Sequence, residues 1–216
     1  MPLHRFQSLI KAFVFDMDGT LVDSKEAVIA QLTDYSLSLN REPLPREQLV
    51  KLIGRTDHDI ARVLVGDDES TIERAIEWFN ETHTKYYGKL AKLFPGVEDC
   101  LRFLKSKGYM LGIATNATAE MVRQFMEWSK LKDIVDASVS ADEVPGKPAP
   151  DMILKLAELF GAEPSEIVYV GDTVLDVMAA KSAGALSIAV VCGVDTMDEL
   201  LLAKPDLILP LASWVC

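Results

Sequence analysis

Two aspartates one residue apart, in Asp16-Met17-Asp18-Gly19-Thr20, are the sharpest chemical signal in the chain. Side chains alternate along an extended segment, so Asp16 and Asp18 can face one space while Met17 faces away, and Gly19 permits the turn that follows. Carboxylates held so close repel, and both stay ionised at neutral pH only where positive charge compensates them. A hard divalent cation supplies that charge; magnesium takes oxygen ligands and is often held by only one or two carboxylates. A third acid stands at Asp172, in Gly171-Asp172-Thr173-Val174-Leu175-Asp176, and a lysine at Lys147, in Gly146-Lys147-Pro148-Ala149-Pro150-Asp151. The prolines restrict the backbone around Lys147 and so aim its side chain. A cation and a lysine together neutralise the like charge that a carboxylate meets on attacking a phosphate dianion, which is the central difficulty of phosphoryl transfer.

These residues must be brought together by the elements between them. Short β-branched runs at 12–15, 110–114, 134–140, 167–170, 186–191 and 207–209 alternate with amphipathic segments, the pattern of a parallel sheet wrapped by helices. Pro95-Gly96-Val97 opens a helix that Gly108 closes, Pro150-Asp151 starts another that Gly161 ends, and a third runs from Thr173 to Ala183 before Gly184. In open parallel sheets ligands bind at the C-terminal edge of the strands. Asp16 and Asp18 follow the first run, Thr115 and Asn116 the second, and Asp172 the fourth, so the sequence places all five at that edge.

The stretch from Ser24 to Ala91 is helical in pattern throughout. Ser24 caps a helix through Leu39, residues 46–53 form a short one, Asp57 caps a third over 60–65, and 68–92 reads as one long helix. A helical block after one strand of an α/β pattern reads as a second domain joined through 21–24 and 90–94. The expected fold is α/β, a doubly wound, mainly parallel sheet (residues 1–21 and 92–216) carrying an inserted all-helical cap (residues 22–91).

Composition narrows the partners. There are 22 Lys and Arg against 33 Asp and Glu, a formal net charge of -11, and no basic stripe, which argues against a nucleic-acid partner. No apolar run approaches a membrane span, and Met1 to Gln7 opens no long apolar leader, so a cytoplasmic protein without a membrane partner is expected. Cys100, Cys192 and Cys216 are odd in number and far apart, so neither a disulfide nor a zinc site is expected. His4, His58 and His83 stand alone, and Tyr86 and Tyr87 read as packing residues.

The motifs resemble the haloacid dehalogenase superfamily, specifically its phosphatases with a helical cap after the first strand, such as phosphoglycolate phosphatases. Residues 16–24 resemble the family's first motif, Thr115-Asn116 the second, Lys147 to Asp151 the third and Gly171 to Asp176 the fourth, in the family's order. The resemblance implies a magnesium-dependent phosphomonoester hydrolase, monomer or homodimer, acting on a small phosphorylated metabolite. Asp16 would be the nucleophile and a ligand of Mg2+. Asp18 would be the acid and base, with its backbone carbonyl on the metal. Thr115, Asn116 and Lys147 would hold the phosphoryl group, Asp172 would bind the metal, and Asp176 would support it from its edge. Arg55, in Ile53-Gly54-Arg55-Thr56, is the cap residue expected to reach the substrate, because a planar guanidinium can hold a carboxylate or phosphate. A sugar phosphomutase shares both aspartates and is the enzymatic alternative; a phosphoaspartate switch or binding module is the alternative without turnover.

Overall fold

The structure, a computed structural model, describes residues 10–216; the leader reading of Met1 to Gln7, and His4, lie outside them. In chain order, β1 (Ala12–Phe15) and β2 (Val22–Asp23) precede α1 (Lys25–Ser38), α2 (Arg46–Val50), α3 (Asp57–Val65) and α4 (Glu69–Leu90), and β3 (Lys92–Leu93) follows. The rest alternates: α5 (Val97–Ser106), β4 (Met110–Thr115), α6 (Ala119–Ser129), β5 (Ala137–Ser140), α7 (Asp151–Phe160), β6 (Ile167–Gly171), α8 (Val174–Ala183), β7 (Leu186–Val190), α9 (Met197–Ala203) and β8 (Leu207–Leu209).

Six strands form one sheet in the order β5-β4-β1-β6-β7-β8, every neighbouring pair parallel. Strands buried on both faces carry apolar side chains on both. Phe15, Ile113 and Val170 pack with Leu101, Leu104 and Phe125 on one face, and Val14, Ala114 and Tyr169 pack with Met152, Leu156 and Ala180 on the other. Register then positions the functional ends. Phe15 pairs with Ile113 on β4 and Val170 on β6, and the Asp16 amide donates to the Val170 carbonyl at 2.8 Å. Asp16, Thr115 and Asp172 therefore leave three adjacent strands at one edge.

Helices α1 to α4 pack around Leu32, Tyr35, Leu49, Ile60, Ile72 and Phe79, and Met121 of α6 joins this cluster from the sheet side. The two chain crossings are not loose: Val22 pairs with Leu93 and Asp23 with Lys92 in an antiparallel ribbon of β2 and β3.

Several elements differ from the sequence reading. Helix α2 ends at Val50, and α4 ends at Leu90 because Ala91 is extended and feeds β3. β5 starts only at Ala137, since the Ile134 and Val135 amides are taken by the Leu131 carbonyl in a turn. Thr56, not Asp57, caps α3: its side chain accepts from the Asp59 amide, and Asp57 becomes the first helical residue. The expectation of no disulfide is overturned. Cys100 and Cys216, 116 positions apart, are bonded with Cα atoms 5.7 Å apart, because the C-terminal turn at Ala212–Val215 packs on α5; no spacing in the sequence signals this. Among the described residues no helix is long and apolar enough to cross a membrane.

Candidate active site

Asp16 ends β1 fully enclosed, and its Oδ1 lies 2.7 Å from Lys147 Nζ. The same ammonium reaches Asp176 Oδ1 at 2.6 Å. Asp16, Asp172 and Asp176 present carboxylate oxygens within 4.8 Å of one another, all three buried. Asp172 is fixed on both oxygens: Thr20 Oγ1 donates to Oδ1 at 2.8 Å and the Val194 amide to Oδ2 at 2.8 Å. The approach needs glycine on two sides, since a Cβ built on Gly19 or Gly193 would overlap the Asp172 carboxylate. Gly19 also holds a positive φ of 80°.

Burial and crowding set the charges. Burial pushes the Asp16 carboxyl up to about 7 against the pull of Lys147. Burial, then the neighbouring Asp16 and Asp176, hold Asp172 well above the usual carboxylate range. Burial works against the charge on Lys147, but Asp16 and Asp176 outweigh it and keep the ammonium protonated. One lysine against three buried acids leaves negative charge uncompensated. An oxygen-only donor set with glycine walls fits a small hard cation such as magnesium, with Asp16, whose Oδ1 alone is paired, and Asp172, which takes a single donor on each oxygen, the acids that keep lone pairs for it. Asp176 is already committed. Its Oδ1 meets Lys147 and the Tyr169 hydroxyl (3.0 Å), and its Oδ2 accepts from Thr173 N (2.9 Å) and Oγ1 (2.6 Å).

The Asp18 carboxylate stands outside this group and accepts a hydrogen bond from the Tyr87 hydroxyl of α4. It lines a cavity of about 50 Å³ between sheet edge and cap, together with Asp16, Thr115, Asn116 and Arg55. Asn116 also acts through its side chain. Its Oδ1 accepts from the Lys147 amide at 2.8 Å, and its Nδ2 donates to the Lys147 carbonyl at 3.2 Å and to the Gly54 carbonyl of the cap at 2.9 Å. One amide thus braces the lysine's backbone and touches the cap.

Residues 13–190 match the haloacid dehalogenase-like hydrolases. The chain belongs to that family. It is 29% identical to the phosphoglycolate phosphatase of Escherichia coli (strain K12), over 95% of this chain and 90% of that one. It is 30% identical to the pyrophosphatase PpaX of Bacillus cereus (strain G9842), over 93% and 92%. A haloacid dehalogenase-like hydrolase from Bacteroides fragilis shares the fold at a TM-score of 0.87, with 23% identity and 96% and 100% coverage. The protein is a hydrolase, a phosphatase of this superfamily.

The hydrolase contains site features that the sequence reading passed over. Tyr87 contacts Asp18, and His83, one turn earlier on α4, stacks on its ring with centroids 3.8 Å apart. That i,i+4 spacing was the available signal. His83 is buried, its Nδ1 3.2 Å from Gln124 Oε1 and its Nε2 unpartnered; burial lowers its affinity for a second proton. Asp57 lines the same cavity with Oδ2 buried and unpartnered, and burial, reinforced by Asp18, pushes its carboxyl up to about 7. Arg55, the cap residue the sequence singled out, is exposed at the cavity's edge with Nε on the Lys51 carbonyl at 3.2 Å.

Proposed function

We propose that this phosphatase hydrolyses a small phosphate monoester, with magnesium, through a phosphorylated Asp16. The observation that carries the reading is the Asp16 carboxylate, paired with Lys147 at 2.7 Å and lining the cavity under the cap. A bound magnesium, held by Asp16, Asp172 and the Asp18 backbone carbonyl, would supply the positive charge that lets two anions meet.

In the first step an Asp16 oxygen attacks phosphorus as the bond to the ester oxygen breaks, and Asp18 gives its proton to the departing alcohol. In the second, a water loses a proton to the Asp18 carboxylate and attacks phosphorus, releasing inorganic phosphate and restoring Asp16. Lys147 neutralises the phosphoryl oxygens, Thr115 and the Asn116 amide hold them, and Asp176 keeps Lys147 in place. Arg55 contributes a cation at the cavity's edge for the incoming dianion. A cavity of about 50 Å³ holds only a few waters, so the cap opens to admit substrate and closes to exclude solvent. That size supports a small leaving group, as does similarity to proteins named for phosphoglycolate and pyrophosphate.

The test is release of phosphate from p-nitrophenyl phosphate. Turnover is expected to need magnesium and to fall at least about 1,000-fold in Asp16→Asn, which removes the nucleophile. Acid quenching should trap label from the substrate on Asp16. Undiminished turnover in that variant would exclude Asp16 as nucleophile.

A further inference from the structure

The wall of the cavity that α3 and α4 supply is unfinished as protein. Asp57, at the start of α3, and His83, on α4, both line it, and each leaves one buried polar atom without a hydrogen bond. His83 is only 2% exposed, so solvent does not satisfy it. An unpaired buried polar atom costs roughly 1–3 kcal/mol, which natural proteins tolerate where a ligand completes the set.

The chemistry of these two atoms is determined by their surroundings. The Gln124 side chain is oriented by its own Nε2, which donates to the Asn80 carbonyl at 3.1 Å and to Glu120 Oε1 at 2.8 Å. Its Oε1 is therefore an acceptor and already takes the Thr84 hydroxyl. His83 Nδ1 must be the donor to it, which leaves Nε2 of the neutral ring with a lone pair facing no partner. Asp57, once ionised, offers only lone pairs as well. With Asp57 ionised, the two vacancies are thus both acceptors, beside Tyr87 and Asp18, where the departing oxygen is protonated. Arg55 is the sole Lys or Arg lining this cavity among the described residues, and it sits at the exposed edge.

We propose that Asp57 and His83 form an acceptor subsite for the leaving group, selecting esters whose alcohol carries a further hydroxyl and disfavouring those whose alcohol carries a carboxylate. This rests on the hydrolase reading above and narrows it: the substrates are small polyol or sugar phosphates, and phosphoglycolate is a poor one. A carboxylate here would meet Asp18 and Asp57 with like charge and supply no proton to either vacancy, whereas a hydroxyl donates to one. Arg55 is then left to the phosphate. Sites built to pair a substrate hydroxyl discriminate strongly against analogues that lack it.

The experiment compares 2-hydroxyethyl phosphate with phosphoglycolate, which differ only in a terminal hydroxymethyl against a carboxylate, at about pH 8 where Asp57 is ionised. The wild-type enzyme is expected to favour the hydroxyl ester at least about tenfold in kcat/KM. Asp57→Asn should shrink that ratio at least about fivefold, largely by improving phosphoglycolate, and His83→Phe, which keeps the stack on Tyr87, should raise KM for the hydroxyl ester. Because each ratio compares two substrates on one preparation, partial misfolding of a variant cancels, and either variant alone suffices. If p-nitrophenyl phosphate is hydrolysed while phosphoglycolate is preferred, neither ester is accepted, or both variants keep the wild-type ratio, the subsite is overturned and the hydrolase reading stands. If the wild type hydrolyses no ester with magnesium, both fall.

Discussion

Asp172 owes its position to residues with no side chain as much as to its hydrogen bonds. Gly193→Ala would drive a methyl into the carboxylate that Val194 and Thr20 hold. The expected result is a magnesium half-saturation raised at least about tenfold with little change in circular dichroism, since displacing one ligand of a small ion costs affinity before it costs fold. Unchanged magnesium dependence would remove Asp172 from the site. Asp57 gives a second prediction. Its folded-state carboxyl binds a proton up to about 7 against an ordinary value of 3.8. Between those limits the folded state holds a proton that the unfolded chain has released, so Asp57 erodes stability as pH rises through that window. Asp57→Asn, tested by urea unfolding without metal, should be more stable than wild type by up to about 4 kcal/mol at about pH 8 and gain nothing near pH 4. An equal effect at both would show that Asp57 is not held protonated. Asp16, Asp18 and Asp172 were legible in the sequence because strand ends are read from hydrophobic runs and the rule for the sheet edge does the rest, and Lys147 was legible from its flanking prolines and the motif it resembles. Gly193, Asp57 and His83 were not, because close approach and an unpaired buried atom arise only when distant segments pack.

The strands show the same division between elements. β1, β6 and β8 fall where β-branched runs place them, and the helices bounded by Gly108, Gly161 and Gly184 end at those residues or just before them. Neither α6 nor α9 was among the helices read from the sequence: α9 is seven residues long with Leu200 alone buried and shows no stripe, while α6 does carry one in Met121, Val122 and Phe125. At α3 the misreading is informative. Both Thr56 and Asp57 can cap a helix, and only the cap's packing assigns that task to Thr56 and sends Asp57 into the cavity with its Oδ2 unpartnered. Helix α4 carries Tyr87 to Asp18, the residue proposed as acid and base. Tyr87→Phe leaves the acid without that donor and free to turn. Turnover of an alkyl phosphate should fall about tenfold or more, and that of p-nitrophenyl phosphate less, because nitrophenolate departs without a proton. Equal losses on both esters would mean that Tyr87 serves the cap's packing rather than proton transfer.

Sheet and cap meet through the β2–β3 ribbon, Asn116 on Gly54, Thr118 on Asn80, the Gln124 side chain on α4, and the packing of Met121 into the cap's core. The Cys100–Cys216 bond acts elsewhere. It ties the last residue to α5, the first helix after the ribbon, and closes a loop of 116 positions. A link across so long a segment restricts the unfolded chain far more than the folded one, and such bonds contribute typically about 2–4 kcal/mol. Cys192 does not threaten it by exchange. Burial, then the nearby Asp172, pushes the Cys192 thiol up to about 12, so little thiolate exists at neutral pH to attack a disulfide. Cys216→Ser should therefore lower the unfolding free energy in urea by roughly that 2–4 kcal/mol, and reducing agent should lower the wild type to the same level while leaving the variant unmoved. Turnover of p-nitrophenyl phosphate should stay within about twofold below the unfolding transition, because neither cysteine touches the acid cluster or the cavity. A wild-type midpoint indifferent to reductant would mean that packing of the C-terminal turn on α5, without the covalent bond, holds the tail in place.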